Sequence, residues 1–450
     1  MKQRRTLTQL WDKLQQPDLL ATLVRGASAA LLTQTLGLGV TYLTQILFAR
    51  WMGASGYGVL EYVTTLGTVL AFVAGLGLPG AVLRFISEYT VKQDWAHLRG
   101  VIWGSWWQTV AASLIIAISG TGLILWLDRS HSLEYSRSLI LGLWAVPLLA
   151  LMKLQLDMAR AVQRIALAYA PSLVIYPLVL LGSTFVWVHL HQSLTSVSAI
   201  ALSALSLLTV LTVQLVLFYQ GLAPEIHQVQ PAYAIGQWLR VSLPLLFIDG
   251  SFVVLNQTDT LMIGAMLGST DVGIYSAAFK TAGWVNFILV AVNAIAAPLF
   301  ASLYAQGDRQ SLQRLVSVIA RWMFYPALGV AIGLVIFAEP VLHLFGAEFI
   351  AAKWAMIALI AGQLVNVGAG SVGYLLIMTG HHNQCAQVIG ISALLNFLLN
   401  LIGIPRFGIL GAALATAVSM ALWNIWLNAL VVKYLGVNPS IVATLNPPQN

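Results

Sequence analysis

Charge is what this chain has least of. Only 8% of its 450 residues are Asp, Glu, Lys or Arg, where a soluble domain carries about 25%. So sparse a supply cannot solvate the surface of two or three globular cores, the organisation that length alone suggests. Cysteine is nearly absent as well. The lone Cys385 excludes an intrachain disulfide and any thiolate cluster. No Walker-type phosphate loop and no G-x-S-x-G elbow occurs in the chain. His381-His382 is a loop pair without further ligands nearby. Acidic residues near the loops, such as Glu88, Asp94, Asp308, Glu339 and Glu348, stand singly. A membrane-embedded glycosyl transferase needs them clustered around a divalent ion and a diphosphate. No catalytic, metal or cofactor site is expected.

What the chain does have is apolar sequence: 59% hydrophobic residues and a mean hydropathy of +0.84. Successive runs are each about as long as the ~20 residues a helix needs to cross a bilayer. The expected fold is an all-α polytopic membrane protein of about twelve spans. They fall near 24–49, 58–79, 101–126, 138–157, 170–188, 199–219, 241–267, 276–302, 319–337, 354–379, 385–404 and 408–434. No signal peptide is read at the N-terminus. Leu7, Leu10, Trp11 and Leu14 fall at helical spacing, as for a short helix on the membrane surface. The formal charge of +7 follows from the orientation rule and does not require nucleic acid. With both termini in the cytoplasm, sixteen of the 22 basic residues lie on that side and six on the other.

The polar link Gln220–Gln237, with Pro224 and Pro231, divides the spans six and six. Residues 1–21 read as a cytoplasmic or interfacial segment, 22–219 as a first lobe, 220–240 as a linker, 241–436 as a second lobe, and 437–450 as a tail. The lobes look like repeats. Gly53/Gly58 match Gly268/Gly273 at an offset of 215, and Asp94…Leu98 matches Asp308…Leu312 at 214. An even number of spans per repeat makes the repeats parallel, and transporters of that design keep their path between the halves.

Ionisable and amide side chains inside spans are costly and mark a partner or a watery cavity. The first span carries the stripe Gln34, Thr41 and Gln45. The seventh carries Asp249, Asn256 and Asp259 near one face, followed by Gly264-x-x-x-Gly268. The eighth opens with Lys280 and carries Asn286 and Asn293, seven apart. These nine residues are the expected substrate path, in a cavity lined mainly by spans one, two, seven and eight. Asn396/Asn400 and Asn424/Asn428 read as interhelical glue. Asp259 and Lys280 are open to two readings: a mutual ion pair, or a direct part in transport.

Several segments together resemble the polysaccharide repeat-unit (O-antigen type) flippases of the multidrug/oligosaccharidyl-lipid/polysaccharide exporter superfamily. They are Phe48-Ala49-Arg50-Trp51-Met52-Gly53 with Gly56-Tyr57-Gly58; Gly77-Leu78 through Arg84 and Glu88; Ser242-Leu243-Pro244-Leu245 with Asp259, Gly264, Gly268, Gly273, Tyr275 and Ala278; and Leu344-Phe345-Gly346-Ala347-Glu348-Phe349. Closest to the pattern is Asn396-x-x-x-Asn400-Leu401-Ile402-x-Ile404-Pro405-Arg406-Phe407-Gly408 continuing to Ala413. The resemblance implies two six-helix lobes around a V-shaped central cavity, a MATE-like arrangement. It further implies alternating access that moves a polyprenyl-diphosphate-linked oligosaccharide across the cytoplasmic membrane. The implied partners are that lipid-linked substrate, membrane lipids, and a polysaccharide polymerase with other export components. Fixed positive charge for the diphosphate and amide or hydroxyl groups for the sugars suit such a cargo; the peptidoglycan precursor is one candidate. The alternative is a cation-coupled drug or metabolite antiporter using Asp249 or Asp259. A membrane-embedded glycosyltransferase or polymerase ranks third.

Overall fold

The computed structural model describes residues 17–131, 135–222 and 224–445, with side chains from 36 to 444 apart from 130–134, 223, 227, 248, 294, 295 and 298. The expected surface helix around Leu7–Leu14 lies outside the described residues. Among those described, the structure is helical throughout, with no strand. Such a fold follows from the composition, because in lipid a helix satisfies every backbone group within its own segment.

The first half runs α1 (Pro17–Ala74), α2 (Leu78–Lys92), α3 (Trp95–His131), α4 (Ser136–Ala161), α5 (Ile165–Ala170), a π-helical turn (Pro171–Ile175), α6 (Tyr176–His191) and α7 (Ser196–Gln220). The short α8 (Pro224–Gln228) lies in the polar link. The second half runs α9 (Ile235–Met266), α10 (Ser269–Ala305), α11 (Arg309–Ile336), α12 (Ala338–His343), a 3-10 turn (Ala347–Ala352), α13 (Lys353–Ala369), α14 (Val372–Met378), α15 (His382–Phe407), α16 (Ile409–Leu435) and α17 (Ile441–Leu445).

Nine helical stretches of the described residues are long and apolar enough to cross a membrane, or ten if the bent pair Ile235–Phe247 and Asp249–Met266 counts as one. Pro244 lies within this bent helix, where a missing N–H weakens the backbone ladder. Two of the nine stretches contain a sharp turn. Leu36–Ala74 breaks at Gly53 (φ 69°), and His382–Leu435, 54 residues long, breaks at Gly408 (φ 59°). At 1.5 Å per residue the second would reach about 80 Å, against a hydrocarbon core of ~30 Å. Glycine is required at both breaks because a Cβ disfavours positive φ.

The repeat seen in the sequence has a physical counterpart. Asp94 caps α3 by accepting from the His97 N–H at 3.2 Å, and Asp308 caps α11 by accepting from the Ser311 N–H at 2.9 Å. The Ser311 N–H holds the Asp308 carboxyl below its ordinary range. The leucine four residues on, Leu98 or Leu312, is buried in each case.

Candidate functional site

The two halves meet most closely where the repeats match. A Cβ on Gly58 would collide with the Ser269 carbonyl, and one on Gly273 with the Ala54 carbonyl. Residues 54 and 58 thus face residues 269 and 273, the same two positions of each repeat, as in an isologous contact. Gly264 adds to the approach, its backbone lying against the Tyr62 ring. Polar contacts seal this end of the bundle. The Ser55 and Ser269 hydroxyls are 3.2 Å apart, and the Tyr135 hydroxyl reaches Ser269 Oγ at 2.8 Å. The break at Gly53 frees the Ala54 N–H, which donates to Glu348 Oε1 at 2.5 Å. Arg50 Nε donates to the Leu344 carbonyl at 2.6 Å.

One to two turns further along α1 and α10 lies a cavity of about 370 Å³, lined by Glu61, Thr65, Asn256, Ser276 and Lys280 among others. Lys280 Nζ donates to Glu61 Oε1 at 2.6 Å, joining the halves by an ion pair. The side chains are 29% and 10% exposed, so the pair faces the cavity. The ammonium also stands 5.7 Å from the Tyr57 ring centroid, within cation–π range. The Tyr57 hydroxyl in turn donates to Gln45 Oε1 at 2.8 Å, tying the two arms of α1 together. The remaining lining is rich in hydroxyls and amides: Thr64, Thr68, Gln257 and Thr260. Such a site can bind an anionic group by exchange at the ammonium and neutral polar groups along its walls.

Of the two readings left open for Asp259 and Lys280, the structure does not form the mutual ion pair: Lys280 pairs with Glu61. Asp259 is 3% exposed and turned into the second half. It accepts from the Tyr275 hydroxyl at 2.5 Å, from Asn400 Nδ2 at 2.7 Å, and from the Thr416 hydroxyl. A step of three residues leaves a helix position about 60° short of a full turn. That carries Asp259 away from Asn256, which lines the cavity. Asp249 is exposed near the middle of the same helix, where it bends. The first span does not line the cavity directly among the described residues: Gln45 acts through Tyr57, Thr41 is half-buried, and the side chain of Gln34 lies outside those described.

The glue reading fits the bonds of Asn396, Asn400 and Asn424, whereas Asn428 Oδ1 is buried with no partner among the described residues. Asn396 Nδ2 donates to the Thr416 and Ser419 hydroxyls, each at 3.1 Å, and Asn424 Nδ2 to Asn366 Oδ1 at 3.0 Å. Asn286 and Asn293 lie deeper on α10, beside a second cavity.

Sequence reasoning missed Glu61. The signal was present: it is the only charged residue in the 58–79 run, and a lone carboxylate at membrane depth calls for a named partner. Among the described residues, no group of three His, Cys, Asp or Glu could hold a metal ion.

Residues 23–304 match the family described as polysaccharide biosynthesis protein, and residues 244–402 match MatE. The chain is similar to the probable low-salt glycan biosynthesis flippase Agl15 of Haloferax volcanii, at 29% identity over 168 residues. That stretch is 36% of this chain and 35% of the relative's length. In fold it is similar to an inward-facing multidrug resistance MATE family transporter of the MOP superfamily, with TM-score 0.70, 14% identity, and coverage of 92% of this chain and 96% of the other. It is also similar to the lipid II flippase MurJ in an inward closed conformation, with TM-score 0.66, 14% identity and coverage of 89% and 86%. These likenesses show a MATE-type helical fold. The first family match takes in more than half of the residues, and the chain therefore belongs to the polysaccharide biosynthesis protein family of multi-pass membrane proteins.

Proposed function

We propose that the protein is a flippase moving a polyprenyl-diphosphate-linked oligosaccharide across the cytoplasmic membrane by alternating access, with no catalytic step of its own. The observation that carries this reading is the Glu61–Lys280 pair spanning the two halves inside a cavity of hydroxyls and amides. A diphosphate competes with Glu61 for the ammonium, and sugar hydroxyls match the threonine and amide lining. Family membership and the names of the flippase relatives support it. The antiporter alternative needs an unengaged carboxylate facing the path, and Glu61 in this cavity is held by Lys280. Asp259 is instead enclosed by donors from α10, α15 and α16.

The reading takes 22–219 and 241–436 as two lobes and counts twelve crossings, each arm of the two broken stretches crossing once. The closed end at Ser55 and Ser269 is then the outer face. A polysaccharide polymerase would take up the delivered glycan. The substrate path on this reading comprises Glu61 and Lys280 with Asn256, and the positions Gln34, Thr41, Gln45, Asn286 and Asn293 along the same route.

The test is reconstitution. Vesicles containing the purified protein and a fluorescent polyprenyl-diphosphate oligosaccharide should equilibrate the lipid between leaflets severalfold faster than empty vesicles. Vesicles that extrude a cationic dye and leave this lipid in place would replace the flippase with the antiporter.

Orientation has its own check. A periplasm-dependent alkaline phosphatase fused after Val432 should be inactive and a fluorescent protein fused there should glow, given the charge bias of 16 to 6. An active phosphatase reverses the topology.

A further inference from the structure

Phe279, Asn286 and Asn293 are spaced by seven and form one stripe of α10. Phe279 lines the ion-pair cavity, whereas both asparagines line a second cavity of about 380 Å³. On α9 the same succession holds: Asn256 lines the first cavity and Phe252, one turn on, the second. The two cavities therefore follow one another along the same pair of helices. The second has a different chemistry, with no charged side chain among the described residues of its lining.

A relay of amides crosses its wall. Asn424 Nδ2 donates to Asn366 Oδ1, and Asn366 Nδ2 to Asn286 Oδ1, both at 3.0 Å. Interhelical glue accounts for that relay. It does not account for Asn293 Oδ1 and Ser371 Oγ, which line the cavity, belong to residues 2% and 4% exposed, and have no hydrogen-bond partner. Orphaned polar atoms at such depth are costly, and an acyl chain in the cavity would leave them so. Trp423 and the exposed Tyr374 supply aromatic surface beside them. Amides both donate and accept, as sugar hydroxyls do. Apolar and aromatic walls with a few placed polar groups are the usual build of a small-molecule site.

We infer that this cavity between α9, α10, α13–α14, α15 and α16 is a subsite for one neutral sugar unit of the transported glycan, held by Asn286, Asn293 and Ser371. The inference rests on the flippase reading and adds to it a place where the glycan, as distinct from the diphosphate, is recognised.

Binding to the purified full-length protein tests it. The probes are citronellyl diphosphate alone and the same lipid bearing glucose, galactose or N-acetylglucosamine. At least one sugar-bearing probe should bind about tenfold tighter than the bare lipid, the ratio given by one well-made hydrogen bond. Asn293→Ala and Ser371→Ala should each reduce that preference, and Ser371→Ala should leave affinity for bare citronellyl diphosphate unchanged. Ser371→Ala removes a single oxygen, so it serves if Asn293→Ala fails to fold. Equal binding of all four probes overturns the subsite, as does a preference untouched by Ser371→Ala and by any folded Asn293→Ala. So does loss of the preference only together with bare-lipid affinity. A cavity holding only water gives the first of these results. Lys280→Ala separates the two ideas. It should weaken every probe in proportion; no effect on any probe refutes the diphosphate site while a surviving sugar preference upholds the subsite. Failure of all four probes to bind refutes both.

Discussion

Lys280→Ala should reach the membrane in normal amount and export no glycan. Lys280→Arg should retain part of the activity, because it keeps the charge but changes its shape and reach. The pair geometry sets these expectations. Breaking a fully buried ion pair costs about 3–5 kcal/mol by stranding the surviving charge. Here both side chains border a cavity, and the Glu61 carboxylate left behind remains in contact with it. Folding should therefore survive. A static brace and a ligand-exchanging ammonium are told apart by the double substitution Glu61→Gln/Lys280→Met. If the pair only braces the halves, removing both charges restores export lost in Lys280→Met. If Lys280 binds the diphosphate, the double variant stays inactive. Restored export would remove Lys280 from the path. Asp259→Ala should behave in the opposite manner. It deprives the Tyr275, Asn400 and Thr416 donors of a shared acceptor in a dry interior. At about 1–3 kcal/mol per orphaned group, the loss should appear as lowered thermal stability and abundance.

Cysteines at positions 55 and 269, in a Cys385→Ala background, should cross-link on mild oxidation and stop transport completely, with recovery on reduction. The two serine hydroxyls already meet at 3.2 Å across the closed end. Alternating access requires that end to open, so a covalent tie there holds the molecule in one state. Ser183→Cys/Ser206→Cys provides the control. Those hydroxyls lie 3.4 Å apart within the first half, and their cross-link should leave transport running. A protein fully cross-linked at 55–269 that still transports at its uncrosslinked rate would show that this contact never opens.

The helices were legible because they rest on a periodic, local signal. The Gly53/Gly58 and Gly268/Gly273 match pointed to a repeat; that Gly58 and Gly273 let two backbones touch is visible only in the structure. Partner choice was less legible. Lys280 and Asp259 sit on helices adjacent in sequence, which made a mutual pair one of the two readings open to them. A lysine's long stem reaches whichever helix lies beside it, and that helix is the second arm of α1. Its Glu61 stands 219 residues upstream of Lys280. Nothing in the spacing of α9 and α10 encodes such a neighbour. The second cavity was half visible: Asn286 and Asn293 stood out, whereas Ser371 gains its role from the helix break at Gly370 (φ 79°), a tertiary event.

The self-matching contact at Gly58 and Gly273 gives the chain the form of a two-fold dimer fused into one polypeptide. The offset of 215 that relates those glycines also relates Glu61 to Ser276 and Thr65 to Lys280, and all four line one cavity. In a true homodimer whatever stands at one position stands at its mate, so an acid facing a base across the axis must occur twice. Fusion lifts that obligation. One side of the axis carries Glu61 opposite Lys280, while the corresponding side carries uncharged Ser276 and Thr65. A pathway with a single charged wall is open only to a chain that has outgrown its own symmetry, and it suits a cargo whose diphosphate lies at one end.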